Sequence, residues 1–231
     1  MIVLAIDAAS PDASIALFRD EKLLGEHGFC SRRDLAAQLV PGIGFLLRSH
    51  SLEAARVDLF GVTVGPGLFT GIRVGLATLK GLNFPAARPM VAVNTLEALA
   101  APSAESGRLT AAVIDAGRDE VYLGAYGFEE GQMRERLAPR LARSADAPEL
   151  LRALEGCTLV GSGVERHADL LAAGVPRGRR SRRGRFLAVD VGRLALRRFR
   201  RGLFVTDLQA LVPAYLRRPD AERDRTRPGA G

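Results

Sequence analysis

The chain has no tryptophan, two cysteines and three histidines, and Lys22 and Lys80 are the only lysines among its 33 basic side chains. Each scarcity removes a class of function. Cys30 and Cys157 have no CxxC or CxxH neighbour, which argues against a disulfide framework or a zinc module; both read as buried, small apolar residues. His27, His50 and His167 never fall at the i, i+4 spacing that sets two imidazoles on one helix face, so no metal site is expected. No serine or cysteine has a recognisable histidine and carboxylate set beside it in sequence, and no catalytic residue is assigned. Aromatic residues are 6% of the chain and seldom alternate with arginine, so base stacking is not implied. No apolar run approaches the roughly 20 residues of a membrane span. The N-terminal run from Ile2 ends at Asp7, too short for a signal sequence, and a cytoplasmic protein is expected.

What is present is enough apolar material for a large core: 47% hydrophobic residues over 231 positions, suited to one large domain or two lobes of about 100 residues each. The formal charge of +7 is concentrated in Arg177–Arg185, in Arg197–Arg201 and in the tail from Arg217. Such runs fit either phosphate recognition or solvated basic loops.

The segment from Gly61 to Gly75, GVTVGPGLFTGIRVG, is an apolar strand entering a glycine-rich turn that opens a helix. Gly65, Gly67 and Gly71 mark backbone that turns sharply or that something approaches closely. The spacing fits neither familiar phosphate code: Ile72 and Arg73 follow Gly71 where a Walker loop has Lys-Ser/Thr, and Thr70 stands where a dinucleotide fingerprint has its third glycine. In the helix that follows, Gly71, Gly75, Thr78 and Leu82 recur on one face. That face is either seated on its own domain or prepared for a partner helix.

An internal repeat organises the chain. Ile2 to Ala8 is an apolar run ending in Asp, followed by a turn and a returning run from Ala13 to Phe18; Ala111 to Ala116 and Val121 to Tyr126 repeat the plan. Val62–Gly67 likewise has a counterpart in Thr158–Gly163. Between these landmarks, Ser31 to Asp34 resembles a capping box opening a helix that Pro41, Gly42 and Gly44 should kink or interrupt. Pro89–Asn94 reads as a strand, Thr95–Ala101 as a helix, and Pro102–Gly107 as the boundary between lobes. Ala147–Leu154 and Val164–Ala173 read as helices, the run around Arg180 as a loop, and Phe186–Arg201 as a helix crossing between lobes. The expected domains are 1–104, 105–218 and a disordered tail over 219–231. The hairpin turn at Asp115, Arg118, Asp119 and Glu120 reads as solvated, and Glu165, Arg166 and His167 as an exposed first helical turn. The fold class is α/β, two duplicated lobes of the actin, Hsp70 and hexokinase type. By analogy with that class, Asp7, Gly65, Gly161 and Gly163 are candidate positions around a nucleotide between the lobes.

Several segments together resemble the TsaB family, also called YeaZ: Ile2–Asp7, Gly65-Pro-Gly-Leu-Phe-Thr-Gly-Ile-Arg73, Lys80-Gly-Leu82, Val93-Asn-Thr-Leu96, Ile114–Tyr122 and Val212-Pro-Ala-Tyr-Leu-Arg217. The resemblance runs from Met1 to about Arg218. It implies a non-catalytic subunit, paralogous to the transferase TsaD, that activates TsaD in making threonylcarbamoyladenosine in tRNA. TsaD would carry the metal, and a TsaE-like ATPase would bind near the junction, so ATP and magnesium belong to the complex. The family's interface maps to helices over 32–47 and 71–84, with Leu35, Leu39, Gly71, Arg73, Val74, Gly75, Thr78, Leu79 and Leu82 as contact residues. The same helices would serve a homodimer of the isolated chain. Two departures stand out: Leu68 replaces a common Ser, and Leu35 a common His.

Overall fold

The computed structural model describes residues 1–30, 34–181 and 186–217. Two five-stranded mixed sheets repeat one topology. In the first, β1 (Ile2–Asp7), β2 (Asp12–Arg19), β3 (Lys22–Cys30), β4 (Leu59–Gly65) and β5 (Met90–Asn94) run in the order β3-β2-β1-β4-β5. In the second, β6 (Thr110–Gly117), β7 (Glu120–Glu129), β8 (Gln132–Arg143), β9 (Thr158–Val160) and β10 (Arg179–Ser181) run β10-β9-β6-β7-β8. Taken from the other edge, the second order is the first. Strand directions repeat as well: β1 is antiparallel to β2 and parallel to β4, as β6 is to β7 and β9. The repeat read from two hairpins thus extends to whole sheets.

The helices are α1 (Leu35–Arg48), α2 (Phe69–Asn83), α3 (Thr95–Ala104), α4 (Ala147–Leu151), α5 (Ser162–Arg166), α6 (Ala168–Gly174) and α7 (Ala188–Arg200). Alternation along β1 separates two cores. Ile2, Leu4 and Ile6 join the core beneath α1 and α2, whereas Val3 and Ala5 face a central core with residues of α3, α7 and both sheets. A third core lies between the second sheet and α4–α6.

The central layer joins the two halves of the chain. Helix α3, from the first half, packs mainly on β6 and β7 of the second sheet, while α7 returns to pack on β1, β2, β4 and β5 of the first. Each sheet is covered by a helix from the other half of the chain, so α7 crosses as expected and α3 crosses too. Proline does not end these helices: α3 continues through Pro102 to Ala104, and α1 runs unbroken through Pro41. Pro41 deprives the Ala37 carbonyl of a helical donor, but both residues are exposed, so water can satisfy it.

Other expectations change locally. Asp34 takes the N-cap of α1 without a side-chain cap bond, and Ser31 and Arg32 lie outside the described residues. The helix expected over 164–173 is α5 and α6, broken at His167. Part of the expected basic loop is strand β10. Arg182, Arg183 and Arg185, like the tail 219–231, fall outside the described residues. Cys157 is buried, and burial pushes its thiol up to about 11; Cys30 is exposed at the end of edge strand β3.

Candidate functional site

The glycine turn after β4 is packed against the turn after β1. A Cβ at Gly67 would lie 2.1 Å from the Ala9 carbonyl oxygen, and one at Gly71 would lie 2.1 Å from that of Ala8. Leu68 N–H donates to Ala9 O at 2.6 Å. These glycines are required because the chain's own backbone occupies the space a side chain would need. The second lobe repeats the device: a Cβ at Gly161 would lie 2.4 Å from Val113 O, and one at Gly163 would meet the Val113 side chain and carbonyl.

Asp7 supports this junction from below. Its Oδ1 accepts from Thr63 Oγ1 at 2.8 Å and Ala9 N–H at 3.1 Å, while Thr63 Oγ1 accepts from Ala8 N–H at 3.3 Å. The carboxyl is fully buried and Oδ2 has no hydrogen-bond partner among the described residues. Burial pushes its pKa up to about 6 despite the two bonds that favour the charged form.

Over the turn lie residues 211–217. Ala214 N–H donates to Val64 O at 2.7 Å, and Ala214 O sits 2.9 Å from where a Cβ of Gly65 would be. Tyr215 stacks on Phe69 with ring centroids 4.9 Å apart, and Arg73 lies 3.9 Å above Phe69 while its Nε donates to the Tyr215 hydroxyl at 2.9 Å. Two residues on, Arg217 donates to Ala116 O at 2.9 Å and pairs with Glu120. The segment therefore straps the glycine turn of the first lobe to the β6–β7 hairpin of the second. Glu120 is a tether, and the reading of this hairpin as merely solvated is corrected.

Between the lobes is a cavity of about 1240 Å³ lined by the strap, Ser10, Asp12, Leu99, Asp115, Tyr122 and Ser162, among others. Of the four nucleotide candidates only Gly161 lines it. Asp7 and Gly163 are committed to internal packing, and Gly65 lies beneath the strap. Asp115 instead pairs with Arg166 at 3.5 Å and lies 3.7 Å from a mostly buried His167, while Glu165 and Arg166 are exposed. Among the described residues, no group of three or more His, Cys, Asp or Glu could hold a metal ion, and no helix is long and apolar enough to cross a membrane.

The expected interface residues divide. Leu39, Gly71, Gly75 and Leu79 are buried in their own lobe; a Cβ on Gly75 would lie 3.1 Å from the Ala8 Cβ. Leu35, Val74, Thr78 and Leu82 are half-buried, and Arg73 is exposed. The small-residue face of α2 is thus the seat of the helix on its own sheet. The outward face presents Thr70, Arg73, Ala77, Gly81 and Phe84, and a Cβ at Gly81 would meet nothing within 4 Å. Neighbouring α1 exposes Val40 and Phe45; these are 52% and 57% exposed, and Phe84 is 77% exposed. Reading outward glycine as well as inward glycine would have found this face.

A family model described as "TsaD: tRNA N6-adenosine threonylcarbamoyltransferase" matches residues 29–154. The Escherichia coli tRNA threonylcarbamoyladenosine biosynthesis protein TsaB is 30% identical over 229 residues, covering 94% of this chain and 95% of its own. The Bacillus subtilis protein of that name is 29% identical over 152 residues, and the match spans 66% of each chain. Among solved structures, a Pseudomonas aeruginosa protein described by its similarity to the peptidase YEAZ has a TM-score of 0.82 at 28% identity, over 94% of this chain and 99% of its own. The ROK hexokinase of Thermus thermophilus shares the fold, with a TM-score of 0.51 at 14% identity over 85% of this chain and 98% of its own.

Proposed function

The chain belongs to the TsaB family, and from that premise we propose that it is a non-catalytic subunit that binds and activates a TsaD-like transferase making threonylcarbamoyladenosine beside the anticodon of tRNA. The observation that carries the reading is the outward face of α1 and α2. Val40, Phe45 and Phe84 are large apolar side chains left in water, and Ala77 and Gly81 let another helix approach closely between them. The half-buried Val74, Thr78 and Leu82 flank that surface, while the inward Gly71, Gly75 and Leu79 support it from below. A TsaE-like ATPase would join the pair, with ATP and magnesium acting there, and in the partner's absence the same face would serve a homodimer. Work in the cytoplasm on tRNA fits this role.

An autonomous ATP-dependent enzyme is less well supported. The turns that would cradle phosphate are filled by the carbonyls of Ala8, Ala9 and Val113, so the glycines serve packing. The deciding experiment is threonylcarbamoyladenosine formation on tRNA with the TsaD-like subunit, the ATPase and threonylcarbamoyl-adenylate, with and without this chain. Formation that depends on the chain, with none from the chain alone, is the expected result. Full activity without it would overturn the proposal.

A further inference from the structure

The arginines of this chain divide by what they touch. In the run at the end of α7, Arg197 pairs with Glu105, Arg198 with Glu97 and Arg200 with Glu21, so much of a segment that reads as a basic patch is neutralised within the molecule. At the opposite end of the second sheet from the cleft, Arg108 and Arg179 differ. Both are exposed, neither makes an ion pair among the described residues, and both line one notch of about 360 Å³ with Gly107, Gly156 and Thr158. The fold places them together: Arg179 opens β10 beside Thr158 of β9, and Thr158 in turn pairs with Thr110 of β6, two residues after Arg108. Gly107 and Gly156 have positive φ, and a Cβ at either would meet nothing within 4 Å, which leaves the floor of the notch open.

We infer that this notch receives a phosphate of the tRNA backbone, giving the second lobe direct contact with tRNA. Two arginines lining one open polar hollow can present fork-shaped donors to one anion, and among the described residues no carboxylate lines the hollow to compete. Placement at the far end of the second lobe keeps it away from the α1–α2 face and from the cleft, so tRNA and a protein partner can be held together. The inference rests on the tRNA role proposed above, but its readout does not require the partner.

The test measures binding of an unmodified tRNA transcript to the full chain over a range of KCl concentrations, for the native protein, the double variant Arg108→Gln/Arg179→Gln, and a control, Arg19→Gln/Arg88→Gln, that removes equal charge from the first lobe. Each phosphate that is no longer neutralised lowers the slope of log K against log salt by about 0.7–0.9. The notch variant is expected to bind tRNA roughly ten-fold more weakly near 0.1 M salt, with the slope reduced by about 0.7–0.9, while the control keeps the native slope. Equal weakening in both variants, or no tRNA binding by the native chain, would overturn the inference. So would an effect confined to inorganic phosphate, measured by competition, with tRNA affinity unchanged. Pull-down of the TsaD-like partner by the same variants separates the two proposals: it should be unaffected, and its failure in the native chain would count against the partner role alone.

Discussion

Arg73 Nε lies 2.9 Å from the hydroxyl of Tyr215, joining residues 142 positions apart across the mouth of the cleft. Phe69 completes the contact: Tyr215 stacks on its ring and the Arg73 guanidinium covers it. The glycine motif and the C-terminal motif are two sides of one clamp. Because Tyr215 is partly exposed, its hydroxyl bond contributes modestly, about 0.5–1 kcal/mol. Tyr215→Phe should lower stability by about that amount, and Arg73→Leu, which also removes the contact with Phe69, by more. Hydrogen exchange should show faster exchange at the Ala214 amide, which is bonded to Val64 O. Unchanged protection in Arg73→Leu would mean the strap is held without the Arg73 contact, by Arg217 and the Ala214–Val64 bond.

The two faces of α2 demand opposite outcomes from one chemical change. Gly75→Arg drives a side chain into Ala8, Ile6 and Val62 and should unfold the first lobe, abolishing partner binding indirectly. Gly81→Arg points into open space and replaces glycine in the last turn of α2, a gain of less than about 1 kcal/mol. Its melting temperature should not fall, yet capture of the TsaD-like subunit should disappear. A Gly81→Arg protein that still forms the complex would move the interface elsewhere.

Leu68 occupies the N-cap of α2 in extended backbone, with no side-chain bond to the first turn. A hydroxyl there would accept from an otherwise unsatisfied N–H, so Leu68→Ser should stabilise the fold by about 0.5–1 kcal/mol. Denaturant unfolding should give a higher midpoint with the same slope. The loop itself should keep its conformation, because the Leu68 amide, bonded to Ala9 O, already holds it.

Asp7 makes stability depend on pH in a direction unusual for a carboxylate. Its pKa is about 6 in the fold against 3.8 for the free group, so between these values the folded state binds more protons than the unfolded state. Its contribution is complete below pH 3.8 and declines as pH rises through 6, amounting to roughly 3 kcal/mol. Asp7→Asn, which keeps an acceptor for Thr63 and Ala9, should flatten the stability profile between pH 4 and 7. An unchanged profile would place the titration elsewhere.

Which elements are readable from the chain depends on where each signal comes from. Strands β1, β2, β6 and β7 are legible because alternation and a turn after Asp are local patterns. Strands β3, β8 and β10 are not: each lies at a sheet edge and is markedly more exposed than the central strands, so the apolar signal is weak. Arg179-Arg-Ser181 becomes a strand only because β9 offers it an edge to pair with.

The sequence by itself determined the duplicated α/β plan and the family, since both rest on runs of residues whose order is enough to recognise them. Only the tertiary structure decided what those residues do. Gly71 and Gly75 face their own sheet and Gly81 faces water, although all three lie on one helix at spacings of four and six. Arg197, Arg198 and Arg200 are neutralised by Glu105, Glu97 and Glu21, from segments far away in the chain, while Arg108 and Arg179 line one notch with no ion-pair partner among the described residues. The physical reason is that helix orientation, burial and charge pairing depend on which distant segments arrive at the same place, and no local pattern carries that information.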